Sequence, residues 1–147
     1  MKFRSRVFTY ITNEDNLLVF DHVHHSHTGT QIPGGTIEAN EKPDAAAVRE
    51  AQEETGIQLY SEPFLISNTN IDMRPFGKNE SLDCWFYHLR TSEMRNLTWK
   101  HAEKSPSDGS ANPIWFELYW LNVHENIQLS GIDDLFLHQI RERCTHA

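Results

Sequence analysis

Apolar and polar residues in this chain mark several strand-like runs and follow a helical period in two stretches. Val7–Thr12 is rich in β-branched and aromatic types, Asn13–Asn16 is polar, and Leu17–Phe20 is apolar again. That order predicts a strand, a turn and a returning strand. A histidine-rich loop follows, then a short strand into the turn Pro33–Gly34–Gly35. The period then changes. Ala47, Val48 and Ala51 fall on one face of a helix predicted from about Pro43 to Thr55. Pro43 suits the first turn, where its missing N–H costs nothing. Asp44 favours the positive end of the helix dipole, and Gly56 supplies a left-handed stop. Lys42 is a poor cap, since it offers no acceptor.

Further strands are predicted near Ile57–Tyr60, Phe64–Asn70, Leu82–Leu89 and Ile114–Asn122. The segment Thr98–Pro113 is polar and holds Pro106, Gly109 and Pro113, which predicts a long loop. Ile132–Arg143 carries apolar residues at 132, 135, 136, 137 and 140, an amphipathic helix. The order of elements predicts an α+β fold, a mixed sheet between helices, in a single domain over residues 3–143.

Composition narrows the partners. A net charge of −8 with no basic run argues against general nucleic-acid binding. No apolar stretch approaches the roughly 20 residues a membrane helix needs. The N-terminus lacks the apolar core of a signal peptide. Cys84 and Cys144 have no metal spacing, so reduced thiols and a cytoplasmic location are expected. A homodimer is compatible with all of this.

The chemistry concentrates in GTIEANEKPDAAAVREAQEETGI, residues 35–57. Glu50, Glu53 and Glu54 stand at i, i+3 and i+4, neighbours on one face of a helix. Like charges so placed each cost a lone helix about 0.2–0.5 kcal/mol. Something positive is therefore expected there, and hard oxygen ligands suit Mg²⁺ or Mn²⁺ rather than zinc. A divalent cation would reverse the local sign, admit an anionic diphosphate, polarise its oxygens and acidify a bound water. A freed carbonyl at Gly35 can add to such a metal shell, and Arg49 is placed to pair with Glu41 or Glu53.

The same stretch resembles the Nudix box, G-x5-E-x7-R-E-U-x-E-E-x-G-U with U a bulky aliphatic. Gly35, Glu41, Arg49, Glu50, Glu53, Glu54, Gly56 and Ile57 match it. Ala51, at the first U position, is smaller than the pattern asks and removes no chemical group. The resemblance implies an α/β/α sandwich with a central mixed β-sheet. It also implies a Mg²⁺- or Mn²⁺-dependent pyrophosphohydrolase that cleaves a phosphoanhydride bond in a nucleoside diphosphate linked to another moiety. Members differ in their general base. Here Glu53 and the loop residue Glu103 are the leading candidates, with Arg49 assisting; Glu117 is placed to point across the sheet, and Glu80 and Asp83 are weaker.

Arg74, Phe76 and Trp99, in or beside loops, are the candidates for contacting phosphate or base. The tract His22, His24, His25, His27 is expected to be a polar loop near the substrate entrance. Strand alternation would put His22 and His24 on one side and His25 and His27 on the other. His88 and His101 are expected to make structural hydrogen bonds. No marker of a substrate subfamily can be placed. Two alternatives are a non-catalytic Nudix-like nucleotide sensor and an isomerase of the isopentenyl diphosphate type. The sensor reading is disfavoured because every box glutamate is present, and the isomerase reading because neither cysteine sits in the required motif.

Overall fold

A computed structural model describes residues 1–59, 61–93, 98–103 and 113–145. Its strands are β1 (Lys2–Asn13), β2 (Asn16–His22), β3 (Gly34–Thr36), β4 (Phe64–Asp72), β5 (Glu80–Arg90), β6 (Thr98–Glu103) and β7 (Ile114–Asn122). The helices are α1 (Pro43–Thr55) and α2 (Leu137–Thr145). The sheet runs β4-β5-β1-β2-β7-β6, with β3 added on β1. Only β1 and β5 run parallel among these pairs, so the sheet is mixed.

Period-two alternation divides the sheet's side chains between two cores. Val7, Ile11, Leu18, Phe20, Tyr87, Leu89, Phe116 and Leu118 face α1, where Ala46, Ala47 and Ala51 meet them. Phe8, Tyr10, Leu17, Val19, Cys84 and Phe86 face the other way, toward Ile132, Leu137 and Ile140. The result is a helix–sheet–helix sandwich of the α+β class. The alanine stripe of α1 has no bulk to hold the helix off the sheet, so the functional helix lies close against it.

One local feature positions the site. β1 and β2 pair only at their tip, Thr12 with Leu17 and Asn13 with Asn16. They then diverge. Gln31 bridges Phe20 on the β2 side, and β3 pairs along β1 as Phe8–Gly34, Val7–Gly35 and Arg6–Thr36. Residues 31–36 thus run up the gap between two splayed strands, and a short loop over residues 37–42 leads from it to α1.

Three expectations need correction. Residues 57–59 form no strand: the Ile57 N–H bonds to Thr55 Oγ1 at 3.1 Å, and Ile57 and Leu59 are buried by side-chain packing alone. Tyr60 lies outside the described residues. Thr98–Glu103, expected in a loop, is edge strand β6, because β7 supplies its backbone partners despite its polar sequence. Residues 104–112 of that loop lie outside the described residues. The second helix starts later than expected, at Leu137, after a 3₁₀ turn over Gly131–Asp134.

Candidate active site

Helix α1 follows its predicted signals closely. Lys42 is its cap without a side-chain bond, Pro43 opens it, and Gly56 closes it at φ 74° with its N–H on the Gln52 carbonyl at 2.9 Å. Edge strand β6 then pins the last turn. Trp99 Nε1–H donates to the Thr55 carbonyl at 3.0 Å, and His101 Nε2 lies 2.7 Å from the Glu53 carbonyl, where it donates. Both bonds satisfy carbonyls that a helix end leaves open.

The acidic face of α1 meets the glycine turn. Glu54 Oε2 accepts the Gly34 N–H at 3.1 Å. The Glu50 carboxylate lies so close to Gly35 that a Cβ there would overlap it. Glycine is therefore needed at 35 for room rather than for a left-handed backbone. Glu50 and Glu54 are buried, while the Glu53 side chain is 48% exposed.

Arg49 ties the parts together. It grips both oxygens of Glu41 at 2.7 and 2.8 Å, and reaches Glu50 at 2.9 Å, Glu53 at 3.3 Å and the Thr36 carbonyl at 3.1 Å. The bond from Arg49 holds the Glu41 carboxyl below its usual range, and Glu41 in turn holds the guanidinium firmly charged. Glu41 Oε1 also accepts the Glu38 N–H at 3.0 Å, so the loop before α1 is fastened to the helix through one arginine.

Whether these residues suit a divalent cation can be judged from their chemistry. The side-chain donors on this helix face are all oxygens, the three carboxylates of Glu50, Glu53 and Glu54. They fit Mg²⁺ or Mn²⁺, and the Gly35 cradle holds one carboxylate against the turn. Among the described residues no group of three or more His, Cys, Asp or Glu side chains is gathered around one point. The trio is instead spread along the helix, with Arg49 on Glu50 and Glu53.

A cleft of about 320 Å³ opens from this place across the sheet face opposite α1. Gly34 and Glu54 line one end, and Phe8, Arg6, Met73 and Asp133 line its length. Arg4 also lines it and is bound to Glu80 at 3.1 and 3.0 Å. Asp133 Oδ2 accepts the Ile32 N–H at 2.9 Å, and burial raises its carboxyl pKa to about 7. Of the cleft residues, Arg4, Arg6, Phe8, Met73 and Asp133 were missed in the sequence. The alternation Arg4, Arg6, Phe8 on one face of β1 was the available signal.

Other candidates lie elsewhere. Arg74 is exposed and bound to its neighbour Asp72 at 2.7 Å, and Phe76 is exposed. Trp99 packs against Trp120 beneath α1. None of the three is among the described residues lining the cleft. Glu117 is exposed on the sheet face away from α1, because its neighbours Phe116 and Leu118 occupy the α1 core. Glu80 is taken by Arg4, and Asp83 is bonded by Ser5, Asn68 and Trp85. Glu103 ends β6 opposite Ile114, and its side chain lies outside the described part. The histidine tract leaves β2 at His22 and lies in the expected loop. The chain turns after His22 through Ser26–Thr28, which brings the rings of His22, His25 and His27 into edge contacts at 6.0 and 5.8 Å.

Comparison with known proteins agrees with this architecture. The NUDIX domain model matches residues 2–134. No curated protein matches the sequence. Solved structures of similar fold include a MutT NUDIX hydrolase from Burkholderia pseudomallei, with a TM-score of 0.65 and 20% identity over 95% of this chain and 99% of that one. A pyrophosphohydrolase of Bacillus subtilis aligns with a TM-score of 0.59 and 18% identity, over 97% and 81%. A UDP-X diphosphatase aligns with a TM-score of 0.65 and 14% identity, over 100% and 66%. With the family model spanning most of its length and the pattern of box residues present on and around α1, the chain belongs to the NUDIX domain family.

Proposed function

We propose that this protein is a metal-dependent hydrolase that cleaves a phosphoanhydride bond in a nucleoside diphosphate linked to another moiety, with residues 3–143 as its one functional domain. The observation that carries this reading is the meeting of α1 with the glycine turn: Glu50 packed on Gly35, and Glu54 bonded to Gly34 at the end of a cleft.

Glu50, Glu53, Glu54 and the Gly35 carbonyl are the groups that would hold Mg²⁺ or Mn²⁺. When bound, such a cation supplies charge compensation for the phosphoryl oxygens and a water acidified toward neutrality. The chain's own contributions are separate. Arg49 fixes Glu41, Glu50 and Glu53 relative to one another, and the bond to Gly34 sets Glu54 at the cleft. Glu53, exposed beside the buried pair, is the group with access to take a proton from an attacking water. Glu103 is the second candidate for that role.

The test is incubation with Mg²⁺ or Mn²⁺ and a panel of nucleoside diphosphate derivatives, with products separated by ion exchange. Release of a monophosphate supports the reading. Tight binding without product would favour a nucleotide-sensing module instead.

A further inference from the structure

We propose that the cleft beyond Gly34 and Glu54 takes a second anionic group, a phosphate or a carboxylate, carried by the part of the substrate distal to the diphosphate, with Arg6 and Lys78 as its partners. The inference rests on the hydrolase reading only for where the diphosphate lies.

The argument begins with strand geometry. Arg4, Arg6 and Phe8 project from one face of β1, successive side chains roughly 7 Å apart along the strand. Phe8 is the backbone partner of Gly34, so Arg6 stands one step beyond the glycine turn. A molecule anchored at Glu54 and lying along β1 meets Arg6 next.

Arg6 is poorly matched by the protein itself. Its Nε is buried without a hydrogen-bond partner, and the side chain has no ion pair among the described residues. A buried donor left open is costly, and a guanidinium cannot escape by losing its proton. Its guanidinium carbon sits 5.7 Å from the centre of the Phe8 ring, which steadies the side chain without supplying an acceptor.

Neighbouring acids do not fill the role. Glu80 is committed to Arg4 through both oxygens. Asp133 directs Oδ2 to the Ile32 N–H and forms no ion pair with Arg6 among the described residues. Its burial favours the neutral acid, so it is a weak counter-charge. Lys78, which also lines the cleft, is exposed and likewise without an ion pair among the described residues. Two cations thus face one cleft, Arg6 within electrostatic reach of Asp133 and Lys78 of Glu80 but neither in a direct ion pair among the described residues, a pattern suited to an incoming anion.

Matched ligands test this. Binding of UDP-glucuronate against UDP-glucose, and of NADP⁺ against NAD⁺, is measured by isothermal titration with Ca²⁺ present. The anionic member of a pair should bind roughly tenfold more tightly, the scale of one charge-assisted hydrogen bond. A preference in the first pair identifies a carboxylate, and in the second a phosphate. Arg6→Gln should collapse the preference, and Arg6→Lys should restore part of it. Lys78→Gln, at the surface, reads the same cleft if Arg6→Gln fails to fold. Preferences below twofold in both pairs, or a preference untouched by Arg6→Gln and Lys78→Gln, overturn the proposal. Preferential binding with no product in Mg²⁺ or Mn²⁺ would refute turnover and still support the cleft assignment.

Discussion

The Glu50 carboxylate fills the space where a Cβ of residue 35 would stand. Gly35→Ala must therefore push that carboxylate away from the turn, although the backbone at 35 tolerates alanine. We expect kcat/KM to fall about 100-fold, as when the support of a metal ligand is lost, with a melting temperature within a few degrees of the parent. Mn²⁺ affinity, read by electron paramagnetic resonance, should weaken in parallel. Undiminished turnover would mean that the placement of Glu50 is immaterial.

Arg49 binds Glu41 with two parallel bonds and reaches two further glutamates from the same guanidinium. Lysine keeps the charge and loses that planar fork. Arg49→Lys should lower the unfolding free energy by about 1–2 kcal/mol in urea titration and reduce kcat more than it changes KM. An Arg49→Lys variant as stable and as fast as the parent would show that the charge alone is sufficient.

Buried titratable groups give opposed pH dependences. His88 receives the Arg143 Nε–H on Nδ1 at 2.8 Å, so Nε2 carries the proton and donates to Thr12 Oγ1, also at 2.8 Å. Burial first, then Arg143 and Arg90, lowers its pKa to about 4. Between pH 4 and 6.5 the unfolded chain binds more protons there, so the His88 contribution is complete above pH 6.5 and lost toward pH 4. Asp133 has the reverse sign. Its pKa is raised to about 7 by burial, so its contribution is present at low pH and is lost as pH rises from 3.8 through 7. Asp133→Asn removes that loss and keeps an acceptor for the Ile32 N–H. Its stability relative to the parent, measured by urea unfolding, should increase from pH 5 to about 7 and level off above that. A constant difference across that range would contradict the assignment.

Trp99 holds the last turn of α1 through the Thr55 carbonyl instead of reaching the cleft. Trp99→Phe keeps most of the packing and deletes the donor. It should cost about 1 kcal/mol of stability and leave KM for good substrates unchanged. A KM raised severalfold with stability intact would place Trp99 at the substrate after all.

Much of this was legible in the sequence because it is local. The bounds of α1 follow from Pro43 and Gly56, and the acidic face follows from the spacing of Glu50, Glu53 and Glu54. Strand β7 was readable from its own apolar run. Strand β6 was not, because a polar edge strand is specified by its partner: Trp99 and His101 lie opposite Leu118 and Phe116. The cleft was hidden for a similar reason. Arg6 and Asp133 are far apart in the chain, and both line it only after β1 and the segment over Gly131–Asp134 pack together. For Glu117, alternation fixes which residues share its face but not which face meets α1.

The most direct test of the central claim is Mn²⁺ binding, followed by electron paramagnetic resonance, in the parent and in Glu53→Gln and Glu54→Gln. The account predicts that each substitution weakens Mn²⁺ binding at least tenfold and cuts turnover by about 100-fold or more, with the fold retained by circular dichroism. Unchanged Mn²⁺ affinity together with unchanged turnover in both variants would contradict it.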